Sequence, residues 1–263
     1  MIRLVPAPER PLGTPPEGVS DERESARRIR EMFSRIAPDY DFLNHLLSFS
    51  RDRTWRRRAA QRFDPILRRA DARILDLCCG TGDLAFALAR LRSKAIRDRG
   101  ARRFPIIGSD FSQPMVERAQ EKTGGGGGTV FVAGDALSLP FMDASFDLIT
   151  IAFGFRNLVD YQEGLREMAR VLKQGGEVGI LEFSEPARGW AAGFFRFYFS
   201  RILPRIGGAI SGSREAYSYL PNSVARFPSP SELTALMKKT GFDEVSVSSW
   251  NFGSVNLHCA RRV

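Results

Sequence analysis

From residue 73 onward the spacing of apolar residues alternates between two patterns. Short runs that are apolar nearly throughout, at 73–79, 105–110, 130–135, 146–153 and 177–183, predict strands buried on both faces. Between them stand segments whose apolar positions recur three and four residues apart. Residues 83–91 and 113–122 read as helices, and 160–172 places Leu165, Met168, Ala169 and Leu172 on one helical face before "KQGG" ends it. A helix at 231–240 and strands at 243–250 and 255–260 close the chain. Upstream, 25–60 reads as helical, with Ile29, Met32, Phe33 and Ile36 on its apolar side and a break at Pro38. Five consecutive glycines at 124–128 predict a flexible connection. Repeated strand–helix units predict an α/β fold, a parallel sheet covered by helices on both faces.

The length of 263 residues suits one large domain. Residues 1–24 are proline-rich and are expected to be a disordered tail; 25–263 is expected to be a single domain. Within it the reading gives a helical lid at 25–70, a ligand-binding core at 71–187, an insertion at 188–230 and a final helix and strand pair at 231–263. No run of eighteen apolar residues predicts a membrane-spanning helix, and no secretory leader is expected. Three cysteines, two of them adjacent at Cys78 and Cys79, fit a reduced cytoplasm, and no Cys/His spacing calls for a metal. The net charge of +9 does change the picture. It is concentrated in "RRIRE" at 27–31, "RDRTWRRRAAQR" at 51–62 and "RDRGARR" at 97–103, and it predicts an anionic neighbour, nucleic acid or an anionic membrane surface.

The most informative stretch is "RILDLCCGTGDLAFALAR", a strand, a turn with two glycines and a helix. Gly80 and Gly82 allow a tight turn and close approach of a ligand. No Gly-Lys-Ser/Thr follows, which excludes a phosphate-binding P-loop. Asp83 opens the helix where a pyrophosphate would be repelled and an ammonium group would not. The second strand ends at Asp110, where an acid commonly accepts ribose hydroxyls. The third ends in "VAGDAL", which puts Asp135 and Ala136 beside an expected adenine, with Phe111 or Leu137 covering a ring face. Three acids after three successive strands predict an adenosine without phosphate that bears a cationic amino-acid part. S-adenosylmethionine answers that description.

Read together, "LDLCCGTGD", "GSDFS", "GDALSLPFMDASFDLITIAFGFRNL" and "REMARVLKQGGEVGILEFS" resemble the class I methyltransferase motifs in their order. More specifically, the chain resembles the quinone-biosynthesis C-methyltransferases that act on demethylmenaquinone and bisdemethylubiquinone. The N-terminal signature is carried by Tyr40, Asp41, Asn44, Ser48 and Trp55, and "YSYLPNSVARFPSP" is similar to the family's later substrate segment. Three positions depart from the family pattern: Asp52 stands where histidine is usual, Gln174 where proline is, and Ala152 where serine often is.

The resemblance implies a Rossmann-like class I methyltransferase, with a mostly parallel seven-stranded sheet and an N-terminal helical lid. It implies cofactor residues Thr81, Asp110, Asp135 and Ala136, and C-methylation of a prenylated demethyl-quinol ring. Arg156 and Asn157 of "AFGFRN" are then expected to act on the ring hydroxyl, with Tyr40, Asp41 and Asn44 covering the site. The aromatic, arginine-bearing segment 189–208 is expected to line a groove for the prenyl tail or to lie at a membrane interface. The expected partners are the prenylated quinol and an anionic membrane surface, met peripherally from the cytoplasm. Nucleic acid is not expected, because the aromatics fall in apolar runs instead of alternating with basic residues. A homodimer is compatible with the sequence.

Overall fold

The computed structural model describes residues 21–38, 40–96, 103–126, 128–186 and 214–263, together with Gly13, Gly193, Phe197 and Arg201. A seven-stranded sheet forms the frame, in the order β3-β2-β1-β4-β5-β7-β6. The strands are β1 (Ile74–Leu77), β2 (Ile106–Asp110), β3 (Thr129–Ala133), β4 (Phe146–Ala152), β5 (Leu172–Phe183), β6 (Phe242–Trp250) and β7 (Val255–Arg262). The first five pair in parallel. β7 lies antiparallel between β5 and β6. The strand order reverses between β1 and β4, and ligands of such sheets bind where the carboxyl ends of those strands diverge.

Helices α1 (Glu22–Ile36), α2 (Tyr40–Leu47) and α3 (Arg51–Arg62) precede the sheet, with a single turn, α4 (Asp64–Leu67), between α3 and β1. The sheet is then covered by α5 (Asp83–Ala95), α6 (Gln113–Lys122), α7 (Tyr161–Val171) and α9 (Pro230–Lys239), while α8 (Arg214–Arg226) packs against α1 and the turn after β4. Every residue of β1 is buried, and alternate side chains feed different cores. Leu75 and Leu77 join Leu165 and Met168 of α7 on one face. Ile74 joins Phe63, Leu84 and Leu88 on the other. Such double burial is what near-continuous apolar runs encode.

All seven expected strands form, with three differences in the surrounding elements. The N-terminal helical stretch breaks a second time, at residues 48–50, because Phe49 and Ser50 adopt left-handed backbone, φ 52° and 56°. β5 begins at Leu172 instead of 177: Leu172 pairs with Phe146 and Glu177 with Leu148, so Lys173–Gly176 bulge out of the ladder. Gly175, φ 72°, supplies that turn, and the departing residue Gln174 is exposed on it. Helix α8, which carries Pro221 within it, has no counterpart in the expected elements. Segment 189–208 lies almost wholly outside the described residues. No described helix is long and apolar enough to cross a membrane.

The turn after β1 is sterically closed. Gly82 sits at φ 88°, and a Cβ there would lie 2.7 Å from the Phe131 ring and 2.9 Å from the Phe86 ring. Gly82→Ala combines a left-handed backbone penalty with overpacking, so the unfolding free energy should fall by about 2–4 kcal/mol in urea denaturation. An unchanged midpoint would show that the turn has room to move.

Candidate active site

The ends of β1 and β4 leave their strands in unusual backbone. Cys78 has φ 51° and Phe153 φ 61°, a conformation that costs a non-glycine residue about 1–2 kcal/mol. Gly154 packs so closely that a Cβ on it would lie 2.5 Å from the Cys78 Cβ. Between these ends and the loops after β2 and β3 opens a crevice with about 730 Å³ of space, part of it open to solvent.

Asp110, the last residue of β2, forms one wall. Its Oδ2 accepts the Gly80 N–H at 2.8 Å and its Oδ1 the Ser112 N–H at 2.9 Å. Burial pushes its pKa up to about 6 even against those backbone donors. Asp135, just past β3, is exposed and accepts the Leu137 N–H at 3.0 Å; buried Ala136 follows it. Phe111, Leu137 and Asn157 line the same crevice. The Asn157 Oδ1 is buried there without a hydrogen-bond partner among the described residues.

A smaller cavity of about 310 Å³ adjoins the glycine turn and is lined by Asp76, Thr81 and Asp83. Asp76 lies mid-strand in β1 opposite Thr150 of β4, whose hydroxyl donates to Oδ1 at 2.7 Å. Among the described residues the other oxygen, Oδ2, has no hydrogen-bond partner. Burial raises the Asp76 pKa to about 7, with Thr150 acting against it. Sequence reasoning missed Asp76, and the signal was plain: an acid inside an otherwise apolar strand needs a partner. Cys78 and Cys79 border the same space, and burial together with Asp110 and Asp76 keeps both as thiols.

A third cavity, about 640 Å³, is walled by Met32, Phe33, Ile36, Phe153 and Phe183. Polar groups enter it from three sides. Tyr40 borders all three cavities; burial raises its phenol pKa, and Asn44 hydrogen-bonds to it. Arg156 follows β4 in the 3₁₀ turn Phe155–Asn157. Its Nη1 donates to Glu182 Oε1 at 2.8 Å and to the Phe153 carbonyl at 2.5 Å. Burial alone would lower the Arg156 pKa, but Glu182, Tyr40 and Tyr219 raise it, so the guanidinium stays charged. The departing residue Asp52 completes the wall. It binds Arg56, the Ser48 hydroxyl at 2.7 Å and His45 Nδ1 at 2.8 Å. Burial opposes its charge, yet Arg56, Ser48 and His45 together hold its pKa below the usual carboxylate range.

The N-terminal helices are fastened to the glycine loop. The Thr81 hydroxyl donates to Asp41 of α2. Lys122, at the end of α6, donates to Asp41 at 2.8 Å, Asp83 at 2.9 Å and Thr81 at 3.1 Å. α1 adds a contact to the loop after β2 through Ser34 and Ser112, 3.0 Å apart, and Arg30 lies over the Phe111 ring. The sequence-derived residues therefore divide. Gly80, Asp110, Phe111, Asp135, Ala136 and Asn157 share the crevice. Thr81 and Asp83 face the smaller cavity and the Lys122 clamp. Arg156 and Asn44 face the apolar cavity, and Asp41 belongs to the clamp. Glu182, Arg56 and Lys122 were not anticipated; Glu182 has the same signal as Asp76, an acid within a buried strand.

Comparison with known proteins identifies a family. Residues 20–262 match the model of the ubiE/COQ5 methyltransferase family. The demethylmenaquinone methyltransferase of Thermus thermophilus is 47% identical over 232 residues, covering 88% of this chain and 100% of that protein. The ubiquinone/menaquinone biosynthesis C-methyltransferase UbiE of Geobacter sulfurreducens is 43% identical over 243 residues, covering 91% of this chain and 90% of its own. Among solved structures, a SAM-dependent methyltransferase of Thermotoga maritima, described as a possible histamine N-methyltransferase, superposes with a TM-score of 0.61. It is 20% identical and covers 89% of this chain and 100% of that one, a likeness of fold alone.

The raised pKa of Asp76 has a stability consequence of definite sign. The folded state holds this proton more tightly than the unfolded chain, so stability falls as pH rises from about 4 to about 7. Asp76→Asn removes that penalty. The variant should exceed the parent by about 2–4 kcal/mol at pH 8 and lose the advantage near pH 4, measured by urea denaturation. A parent that is the more stable of the two at pH 8 would mean the carboxylate is better satisfied than its surroundings indicate.

Proposed function

From the premise that the chain belongs to the ubiE/COQ5 methyltransferase family, we propose that it methylates a ring carbon of a prenylated demethyl-quinol, using S-adenosylmethionine. The reading rests above all on the apolar cavity adjoining the crevice, with Tyr40 and Phe153 in the lining of both and two guanidiniums in the cavity wall. An aromatic ring in that cavity would lie beside a ligand in the crevice, and the curated relatives' names supply the class of ring.

The residues present fit S-adenosylmethionine. Asp110 and Asp135 suit ribose hydroxyls and the adenine amine, and Ala136 leaves a flat wall. The orphaned Asp76 Oδ2, beside the glycine turn, suits the amino-acid ammonium. When bound, the cofactor supplies a methyl that is already electrophilic, which leaves the protein the task of making the ring carbon nucleophilic.

That task is electrostatic. A phenol with pKa near 10 is scarcely ionised at neutral pH, and nearby cations favour the ionised form. Arg156 and Arg56 both border the cavity and carry that role. Neither accepts the proton, because guanidinium stays charged, so the proton passes to water. Tyr40 is kept protonated by burial and donates a hydrogen bond instead of acting as a base. Asn157 reaches from the adjoining crevice wall to orient the ring hydroxyl, through an Oδ1 that has no hydrogen-bond partner among the described residues. Glu182 holds Arg156 at its position through two contacts, one to the side chain and one to the backbone. The apolar walls keep ring and methyl aligned, which is most of what methyl transfer requires.

Purified protein, labelled S-adenosylmethionine and reduced demethylmenaquinol in detergent should give labelled menaquinol. A demethylated benzoquinol run in parallel separates a naphthoquinol enzyme from one that takes both rings. Label in neither product, with cofactor binding intact, would overturn the substrate. Arg156→Lys and Asn157→Ala should each lower turnover about tenfold or more with the cofactor Kd within threefold of the parent. Asp110→Ala should instead weaken cofactor binding, by about 10–100-fold in calorimetry, as expected for loss of charged hydrogen bonds.

A further inference from the structure

Helix α3 reads "RDRTWRRRAAQR", and its one acid, Asp52, is consumed within the fold by Arg56, His45 and Ser48. On other surfaces several cations pair with carboxylates. Arg27 and Arg28 meet Glu24, Arg166 meets Glu163, and Arg170 meets Glu167 and Asp143. Where α3 packs along α5, Asp83 meets Arg56 at 3.7 Å and Lys122 at 2.9 Å, and further cations stand beside them. Among the described residues, Arg57, Arg90 and Lys94 form no ion pair, and Arg53 reaches only the His45 ring, at 3.4 Å. These four cations border an open groove of about 1560 Å³ whose floor includes Phe86, Ala87 and Leu91. Asp41 and His45 of α2 close one end, and the neighbouring Phe42 is 60% exposed.

We propose that this groove docks the protein onto an anionic phospholipid surface, its cations taking lipid phosphates and its apolar floor the adjoining glycerol region. A basic rim alone would suit any polyanion. A basic rim over an apolar floor suits an amphiphile, and surface cations contribute most where anionic headgroups are dense. The location supports the same occupant. Arg56 borders both this groove and the apolar cavity, so a docked groove sets the lid and the ring cavity beside the lipid in which a prenyl tail resides. The purpose of the surface rests on the prenylated substrate proposed above; the binding itself does not.

The test uses the full chain and sedimentation with vesicles of phosphatidylglycerol and phosphatidylcholine, or of phosphatidylcholine alone. The wild type should bind the anionic vesicles and not the neutral ones. Arg57→Gln/Arg90→Gln/Lys94→Gln should weaken that binding at least tenfold. Arg166→Gln/Lys238→Gln/Lys239→Gln, which removes the same charge from a different surface, should stay within threefold. Both triple variants should methylate a short-tailed, water-soluble quinol at the wild-type rate without vesicles. Equal weakening by the two variants would reduce the effect to net charge and overturn the proposal. So would vesicle binding unaffected by the groove variant, or a wild type that shifts tRNA-like RNA through these residues and ignores vesicles. Absence of methylation with vesicle binding preserved would sink the proposed reaction and leave the groove standing.

Discussion

The site depends on the cost of holding two carboxylates out of water on adjacent parallel strands, one within β1 and one at the end of β2. Asp76 and Asp110 are both almost fully buried, and burial is the largest influence on each. Asp110 recovers part of the cost from two backbone N–H groups, which also define the glycine turn and the loop after β2. Asp76 recovers less, from one hydroxyl. Burial therefore holds the Asp76 carboxyl partly protonated beside the glycine turn, and a cation arriving there favours its ionised form. Such perturbed acids in a cleft are the usual physical mark of a site.

The rest of the architecture is arranged around that arrangement. The strained exits of β1 and β4, locked by Gly154, set where the crevice walls stand. The N-terminal helices close over it through polar contacts at their edges, and their apolar residues line the adjacent cavity. Tyr40 is a wall common to the three cavities. The buried pair of Arg156 and Glu182 ties the end of β4 to β5. A buried pair contributes little net stability but fixes geometry, because removing either partner strands the other charge.

The legible parts of the fold were those governed by burial on both faces. β1, β4 and β5 announce themselves as apolar runs, and α7 by its apolar stripe. The second break in the N-terminal helices was not legible: it depends on left-handed backbone at Phe49 and Ser50, which neither residue type predicts. The early start of β5 was hidden because a bulge carries four residues out of an otherwise regular ladder. Of the site, the loop acids after β2 and β3 could be found because their positions follow from strand ends. Lys122 could not, since it meets Asp41 and Asp83 only once α6 and α2 are folded onto α5. Asp52 reads as a departure in sequence, while in space it gathers His45, Ser48 and Arg56 into one network.

The placement of β7 also shapes how the chain is made. β7 follows the other six strands in sequence, yet it pairs between β5 and β6. During synthesis the parallel part of the sheet emerges first, and the edge of β5 stays open until residues 255–262 have left the ribosome. Exposed apolar edges are templates for wrong pairing. Glu182 sits on that edge, opposite Asn256 in the finished sheet. The nascent enzyme thus carries its future arginine anchor on an unprotected rim, and the site can become rigid only when the last strand slides into place.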